Sequence, residues 1–414
     1  MSFLKKVFKD TFLLWGFAVF LVVTCSGIHY GEKQEEEFYT YEITLDKNTQ
    51  IPVVGKTSSL STLYAKYALL MDASNRRVLY EKDGYEKAPM ASTTKIMTLL
   101  VTLENANLSD IVTVSEYAAS MPDVQLGIKK SEQYRLADLL YSLMLESHND
   151  VAVAIAEHVG GSVEGFAGMM NEKARSLGAY ETNFVTPNGL DAENHYTTAY
   201  DLALIASYAI ENENFLRIIQ TPSYTFHEQS TGRSFTVNNK DAFLASYEGA
   251  IGIKTGFTGK AGYCFVGAAK KEDKCFVSVV LACGWPPNKT YKWKDTTNLM
   301  NYGMENYHQK EILAPGTSFQ LVTVENAIED NMVTPYVKES VSLLLREGEE
   351  VTYDIKLPIK IQAPLKKDET IGKITIKIDD SIYKVLPLYS KEKRTKITYS
   401  YVLKSILFTY FMLT

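Results

Sequence analysis

Histidine, cysteine and tryptophan are scarce in this chain: six, four and three among 414 residues. The histidines are scattered without metal-ligand spacing, so no metal centre is expected; His158, His227 and His308 read as structural or exposed. No glycine-rich phosphate loop occurs, and no cofactor is expected. Basic residues do not predominate: 43 Lys and Arg against 49 Asp and Glu leave a net charge of −6, which argues against a nucleic-acid partner. Cys264, Cys275 and Cys283 cluster in one predicted hairpin, an odd number with no framework spacing, and read as unpaired strand residues. Long apolar runs are also missing. The stretch from Phe12 to Val23 is short for a membrane-spanning helix, but it follows Lys5, Lys6 and Lys9 and has the build of a signal peptide, with Thr24 to Gly27 offering a cleavage site. Residues 1–27 are therefore expected to be a signal peptide, or else an uncleaved N-terminal anchor or a segment lipidated at Cys25.

What the chain does hold is serine and lysine in three short strings that fall in one order: Ser92-Thr-Thr-Lys95, Ser147-His-Asn149 and Lys254-Thr-Gly256. Each alone is weak, since Ser-x-x-Lys also begins at Ser2, Ser381 and Ser390. Only at Ser92 does a long apolar-periodic segment follow, and then the other two strings. Residues three apart share one face of a helix, so Lys95 can stand beside Ser92 in a first turn. Pro89 stops earlier structure, Ser92 to Thr94 suit a helix cap, and Ile96 to Val101 continue as a buried helix. Backbone N–H groups at that positive helix end can hold an oxyanion. Lysine acts as a base only if its pKa falls from about 10.4 towards neutrality, which burial and a neighbouring cation achieve. Lys254 is the candidate cation.

Ser147-His-Asn149 lies between two segments of helical spacing, Arg135 to Leu145 and Val151 to Ala156. That predicts a short loop from which a serine hydroxyl relays a proton and an asparagine amide orients a substrate carbonyl. Lys254-Thr-Gly256 is placed at a strand end among two or three antiparallel strands between 248 and 281. The lysine and threonine offer a cation and a hydroxyl to a carboxylate, and Gly256 lets a substrate approach the backbone. Together the strings describe a serine acyltransferase that needs neither a catalytic histidine nor a metal.

The set resembles that of penicillin-binding proteins and class A β-lactamases. Within that superfamily the chain is similar to the low-molecular-mass D-alanyl-D-alanine carboxypeptidases of peptidase family S11. The strings that carry the likeness are Ala88-Pro-Met-Ala-Ser-Thr-Thr-Lys95, Thr186-Pro-Asn-Gly-Leu190, His195-Tyr-Thr-Thr-Ala-Tyr-Asp-Leu202 and Gly252-Ile-Lys-Thr-Gly-Phe-Thr258. The resemblance implies a serine hydrolase removing the terminal D-alanine from peptidoglycan pentapeptide stems. Ser92 would be the acyl-ester nucleophile, Lys95 its general base, Ser147 the proton relay and Asn149 the substrate-orienting amide. Lys254, Thr255 and Gly256 would bind substrate, with the Phe257 backbone N–H completing the oxyanion site. Some family members use a downstream arginine for the terminal carboxylate; none occurs between Lys254 and Lys310, and Lys292 or Lys294 is the expected substitute. His148 departs from the family, which usually has a small residue there; its side chain need not face the cleft. β-Lactams are expected as covalent inhibitors. A β-lactamase is disfavoured, because the Glu-x-x-x-Asn string of class A is missing between Ser147 and Lys254. Two further functions stay open beside the carboxypeptidase: a D,D-endopeptidase acting on cross-links, and a non-catalytic wall-binding protein.

The expected fold is α+β: an antiparallel sheet covered by helices, as in β-lactamases and penicillin-binding proteins, followed by a small β-sandwich. The catalytic domain is assigned to 59–308, with helical stretches at 92–105, 135–146, 151–160, 163–177 and 198–211. Residues 28–58, acid-rich at Glu35-Glu-Glu37, read as a linker. Alternating segments make 309–390 the sandwich. Residues 391–414, with Lys391, Lys393, Arg394 and Lys396 ahead of an apolar run, read as a basic, amphipathic tail that meets a membrane surface. The expected location is the outer face of the cytoplasmic membrane, beside the wall.

Overall fold

The computed structural model describes residues 38–44, 60, 62–122 and 124–412. The expected signal segment 1–27 lies outside the described residues, as do 28–37 and 45–58 of the expected linker. The chain divides into two units. One runs to Leu313, without the first strand, and adds Ser340–Glu349; the other takes Phe38–Thr44, Ala314–Glu339 and the chain from Glu350 on.

The first unit is built on a five-stranded antiparallel sheet. In chain order its strands are β1 (Tyr67–Asp72), β2 (Arg77–Lys82), β3 (Ala250–Thr258), β4 (Gly262–Lys271) and β5 (Lys274–Leu281), and in space they run β2-β1-β5-β4-β3. The central strands are covered on both faces, so their sequences run apolar without alternation: Ala68 to Met71 and Phe276 to Leu281 are buried throughout. Against one face lies α1 (Lys95–Asn105), whose residues from Lys95 to Thr102 are all buried, as expected of a helix inside a core. With α2 (Leu136–Leu145) and α3 (Asn149–Gly160) it forms the helical layer that supports the first two strings. The opposite face is covered by α4 (Tyr291–Asn306), whose Leu299 and Met300 share a core with Phe265 and Phe276. Asp295 on α4 is buried, and its Oδ2 accepts from the Ala65 N–H at 2.7 Å and from the Cys283 thiol at 3.2 Å.

The second unit is β-rich. Its larger sheet orders Phe38–Thr44, Val351–Pro358, Thr370–Ile378, Ser381–Ser390 and Pro335–Tyr336. A three-stranded sheet joins Met332–Val333, Val322–Glu325 and Lys360–Gln362.

Three boundaries differ from expectation. Part of the expected linker is a strand: Phe38–Thr44 pairs antiparallel with Val351–Pro358, Tyr39 opposite Leu357 and Tyr41 opposite Ile355. The aromatic and β-branched content of Phe-Tyr-Thr-Tyr-Glu-Ile-Thr explains this. Next, His308–Leu313, expected within the sandwich from 309 on, and Val341–Leu345, expected there entirely, pair with each other and count with the first unit. The Arg77 guanidinium of β2 meets the Glu349 carboxylate there at 2.6 Å. Last, the basic stretch after 390 belongs partly to the second unit, since Arg394 bridges to Leu365 and Lys396 to Ala327. Only Tyr399–Met412 stands out as an exposed helix. At 100° per residue its polar side chains, Ser400, Lys404, Ser405 and Thr409, spread over about half the circumference. It is apolar on most sides rather than cleanly amphipathic. No described helix is long and apolar enough to cross a membrane.

Candidate active site

Ser92 sits in a tight 3-10 turn, Ala91–Thr94, immediately ahead of α1. Ala91 takes a left-handed conformation, φ +49, a strained state for a residue with a Cβ. Its surroundings hold it there. The Thr94 hydroxyl donates to the Ala91 carbonyl at 2.8 Å and contacts His195 Nε2 at 2.9 Å. His195 Nδ1 accepts from the Val185 N–H at 3.0 Å, which leaves the ring proton on Nε2 to be donated to Thr94. Burial pushes the His195 imidazole down to about 4, so it is neutral at physiological pH. Beneath the turn, Gly189 has φ +85, and a Cβ there would lie 2.0 Å from the Ala91 oxygen. Only glycine fits that close approach.

Lys95 is the first residue of α1, and its whole side chain is buried. Its Nζ lies 3.0 Å from Ser92 Oγ, 2.9 Å from Asn149 Oδ1 and 2.6 Å from the Asn188 carbonyl oxygen. As an ammonium it donates to all three. As a free amine it has two N–H groups and one lone pair, and two of its partners can only accept. The lone pair then faces the Ser92 hydroxyl. Burial holds Lys95 well below the usual lysine range; the charge of Lys254 adds to the effect and Asp150 opposes it.

Asn149 opens α3, and Ser147 precedes it in a left-handed conformation, φ +69. The second string is thus a strained turn running into a helix, tighter than the loop expected. Asn149 donates its backbone N–H to the Val124 carbonyl at 2.7 Å. Asp150 accepts from the N–H groups of Leu126, Gly127 and Ile128, which fixes the loop beside it. Ser147 Oγ is buried and has no hydrogen-bond partner among the described residues, an uncommon state for a native hydroxyl. The His148 ring turns elsewhere, with Nδ1 2.7 Å from Ser142 Oγ and Nε2 3.4 Å from Glu146; burial lowers its pKa.

Lys254, Thr255 and Gly256 lie within β3, short of its end, on the outermost strand of the sheet. A Cβ on Gly256 would meet Ser92 N at 3.0 Å and Thr93 N at 3.1 Å. The strand backbone therefore presses directly on the Ser92 turn, and the Ser92 and Phe257 amides come from adjoining segments. The Phe257 ring is 43% exposed and packs on Tyr263, centroids 4.6 Å apart. Beyond it, the Thr258 hydroxyl donates to Asp191 at 2.9 Å, tying the strand to the loop that holds Asn188. Lys254 is buried, and its Nζ donates to the Thr255 carbonyl at 3.1 Å. Burial pushes it down to about 7, with Asp241 opposing and Lys292 adding to the effect.

Of the two expected arginine substitutes, Lys292 is the enclosed one. It is buried on α4, 4.7 Å from the Tyr263 ring centroid, and burial lowers its pKa. Lys294 is exposed and lies over Tyr291. Cys264, Cys275 and Cys283 are free thiols; burial pushes Cys264 up to about 12, so it stays protonated. The sequence motifs gave no part to the Asn188 carbonyl, to His195 or to Asp241. For Asn188 the available signal was the Asn-Gly pair, a turn marker.

Comparison with known proteins identifies the family. Residues 54–284 match the family model Peptidase_S11, D-alanyl-D-alanine carboxypeptidase, and 307–396 match the penicillin-binding protein 5 C-terminal domain. The chain is 31% identical over 358 residues to D-alanyl-D-alanine carboxypeptidase DacF of Bacillus subtilis, covering 84% of this chain and 91% of that protein. It is 29% identical over 360 residues to DacC of Escherichia coli, covering 81% and 86%. Among solved structures, penicillin binding protein 5 from Haemophilus influenzae superposes with a TM-score of 0.68 at 26% identity, over 82% of this chain and all of that one. The Streptomyces K15 DD-transpeptidase superposes with a TM-score of 0.56 at 33% identity, over 60% and 99%. A serine turn, a buried lysine and an outer strand brought together in this fold place the chain in the peptidase S11 family of D-alanyl-D-alanine carboxypeptidases.

Proposed function

We propose that this enzyme removes the terminal D-alanine from peptidoglycan pentapeptide stems through an ester on Ser92. The observation that carries the reading is the hydrogen bonding of Lys95: once neutral, its lone pair can face only Ser92 Oγ. Lys95 takes the hydroxyl proton as Ser92 attacks the carbonyl between the two D-alanines. The Ser92 and Phe257 N–H groups receive the tetrahedral oxygen. Ser147 passes the proton to the leaving amine, while Asn149 orients the stem. Lys254 and Thr255 hold the terminal carboxylate, and the buried Lys292 adds positive charge behind them. Water then frees the tetrapeptide and restores Ser92. Penicillin offers a carbonyl and a carboxylate of the same layout, and acylates the same oxygen.

The test is incubation with a D-Ala-D-Ala pentapeptide and, separately, with a cross-linked dimer, followed by mass analysis. Loss of one alanine from the pentapeptide with the dimer intact is the expected result. Cleavage of the dimer alone would replace this reading with the endopeptidase one.

The same proposal puts the enzyme on the outer face of the cytoplasmic membrane, held there by the exposed helix Tyr399–Met412. Ten of its side chains are exposed aromatic or aliphatic groups, among them Phe408 at 64% and Phe411 at 72%. A helix of 14 residues reaches about 21 Å, too short to span but enough to lie in an interface. Deleting 399–414 while keeping Arg394 and Lys396, which pair within the second unit, should abolish flotation with anionic vesicles and leave peptide hydrolysis unchanged. Undiminished flotation by a chain that also lacks residues 1–27 would refute the anchor.

A further inference from the structure

Asp241 is a buried carboxylate that the mechanism above leaves without a task. It precedes the short helix Phe243–Ser246, and its Oδ1 accepts from the Phe243 N–H at 3.0 Å. Its Oδ2 is buried and has no hydrogen-bond partner among the described residues. That oxygen is aimed at β3: a Cβ on Gly252 would lie 3.2 Å from it. Gly252 stands two residues before Lys254, at φ +105 beside the irregularity that interrupts the pairing with β4 between Ala250 and Gly252; from Gly252 to Lys254 the pairing is in register. The carboxylate lies beside β3, near enough to Lys254 for each charge to act on the other. It forms no ion pair with that ammonium, which instead reaches forward to the Thr255 carbonyl.

An asparagine at 241 could make the same contact to Phe243. What only aspartate supplies there is a negative charge, held where water cannot screen it. Its neighbours need that charge. Lys254 and Lys292 are both buried and the charge of Lys292 acts on Lys254, and burial of two ammonium groups drives one or both to neutrality. A neutral Lys254 could not hold a carboxylate. We propose that Asp241 is a positioning residue that keeps Lys254 charged from beside the strand, so that the site accepts peptides ending in a free carboxylate. This rests on the reading of Lys254 given above.

The test compares wild type and Asp241→Asn on two peptides that break the same bond, one ending in D-Ala-D-Ala acid and one in the corresponding amide. The variant should raise KM for the acid by about fivefold or more relative to the amide, while any change in kcat, which reaches Lys95 through Lys254, is shared by both peptides. Equal changes in KM on both peptides, or no change in KM on either, would overturn the proposal. A second measurement is independent of turnover: the ammonium of Lys254, followed by heteronuclear NMR, should lose its proton at lower pH in the variant, and an unchanged titration would also overturn the idea. If wild type cleaves neither peptide, the peptidase reading fails on its own, and the lysine titration still decides the role of Asp241.

Discussion

Ser92→Ala should abolish D-alanine release and covalent penicillin labelling together, with a loss of about 10⁴-fold or more in turnover. No other described hydroxyl is placed to take over. Thr93 and Thr94 donate to the carbonyls of Met90 and Ala91, and are committed to holding the turn. Stability should change little, by about 1 kcal/mol or less, because Ser92 makes one ordinary contact, 3.0 Å to Lys95, and one long one, 3.4 Å to the Asn188 carbonyl. Intact-mass analysis after exposure to penicillin reads the result directly. A penicilloyl adduct on the variant would remove Ser92 from the mechanism.

Lys95→Met should slow acylation by about 10²–10⁴-fold, the usual contribution of a positioned base. Methionine keeps the length of the side chain and removes the amine. Two acceptors, Asn149 Oδ1 and the Asn188 carbonyl, lose a donor, at about 1–3 kcal/mol each if no water replaces it. Removing a buried amine offsets part of that, so the variant should still fold. The pH profile distinguishes loss of a base from simple disturbance. In wild type, the free amine of Lys95 forms as pH rises, and burial brings that step well below the ordinary lysine range. Lys254, held at about 7, is charged below that value and loses its charge as pH rises through it. The second-order acylation rate should therefore climb with pH and then fall above about 7. The methionine variant should lose the rising limb and keep the falling one. Stopped-flow acylation by a chromogenic cephalosporin across that range measures both, and an unchanged rising limb would assign it to another group.

Much of the site was legible because its members are local patterns. Ser92 and Lys95 are one helical turn apart, and a periodic apolar segment follows them. The helices at 136–145, 149–160, 163–176 and 199–209 lie within two residues of where spacing put them. What stayed hidden has physical causes. The third acceptor on Lys95 is a main-chain carbonyl, which every residue has, so its identity leaves no mark in sequence. α4 was missed because its buried face includes Lys292, Asp295 and Thr296, which break the apolar rhythm a helix search relies on. The strand Phe38–Thr44 was hidden by the glutamates just before it. Asp241 carries no motif, and its importance comes only from the strand that folding lays beside it.

The outermost place of β3 has one more consequence. A strand bonded to a neighbour on one side only has an edge on the other, and an extended peptide laid there would add a sixth strand to the sheet. Such pairing reads main-chain atoms and ignores most side chains. Selectivity would then sit at the two terminal residues, where the hydroxyl and the cations act, and variation further up the stem would be tolerated. Chemistry in the wall could diversify without this enzyme having to change.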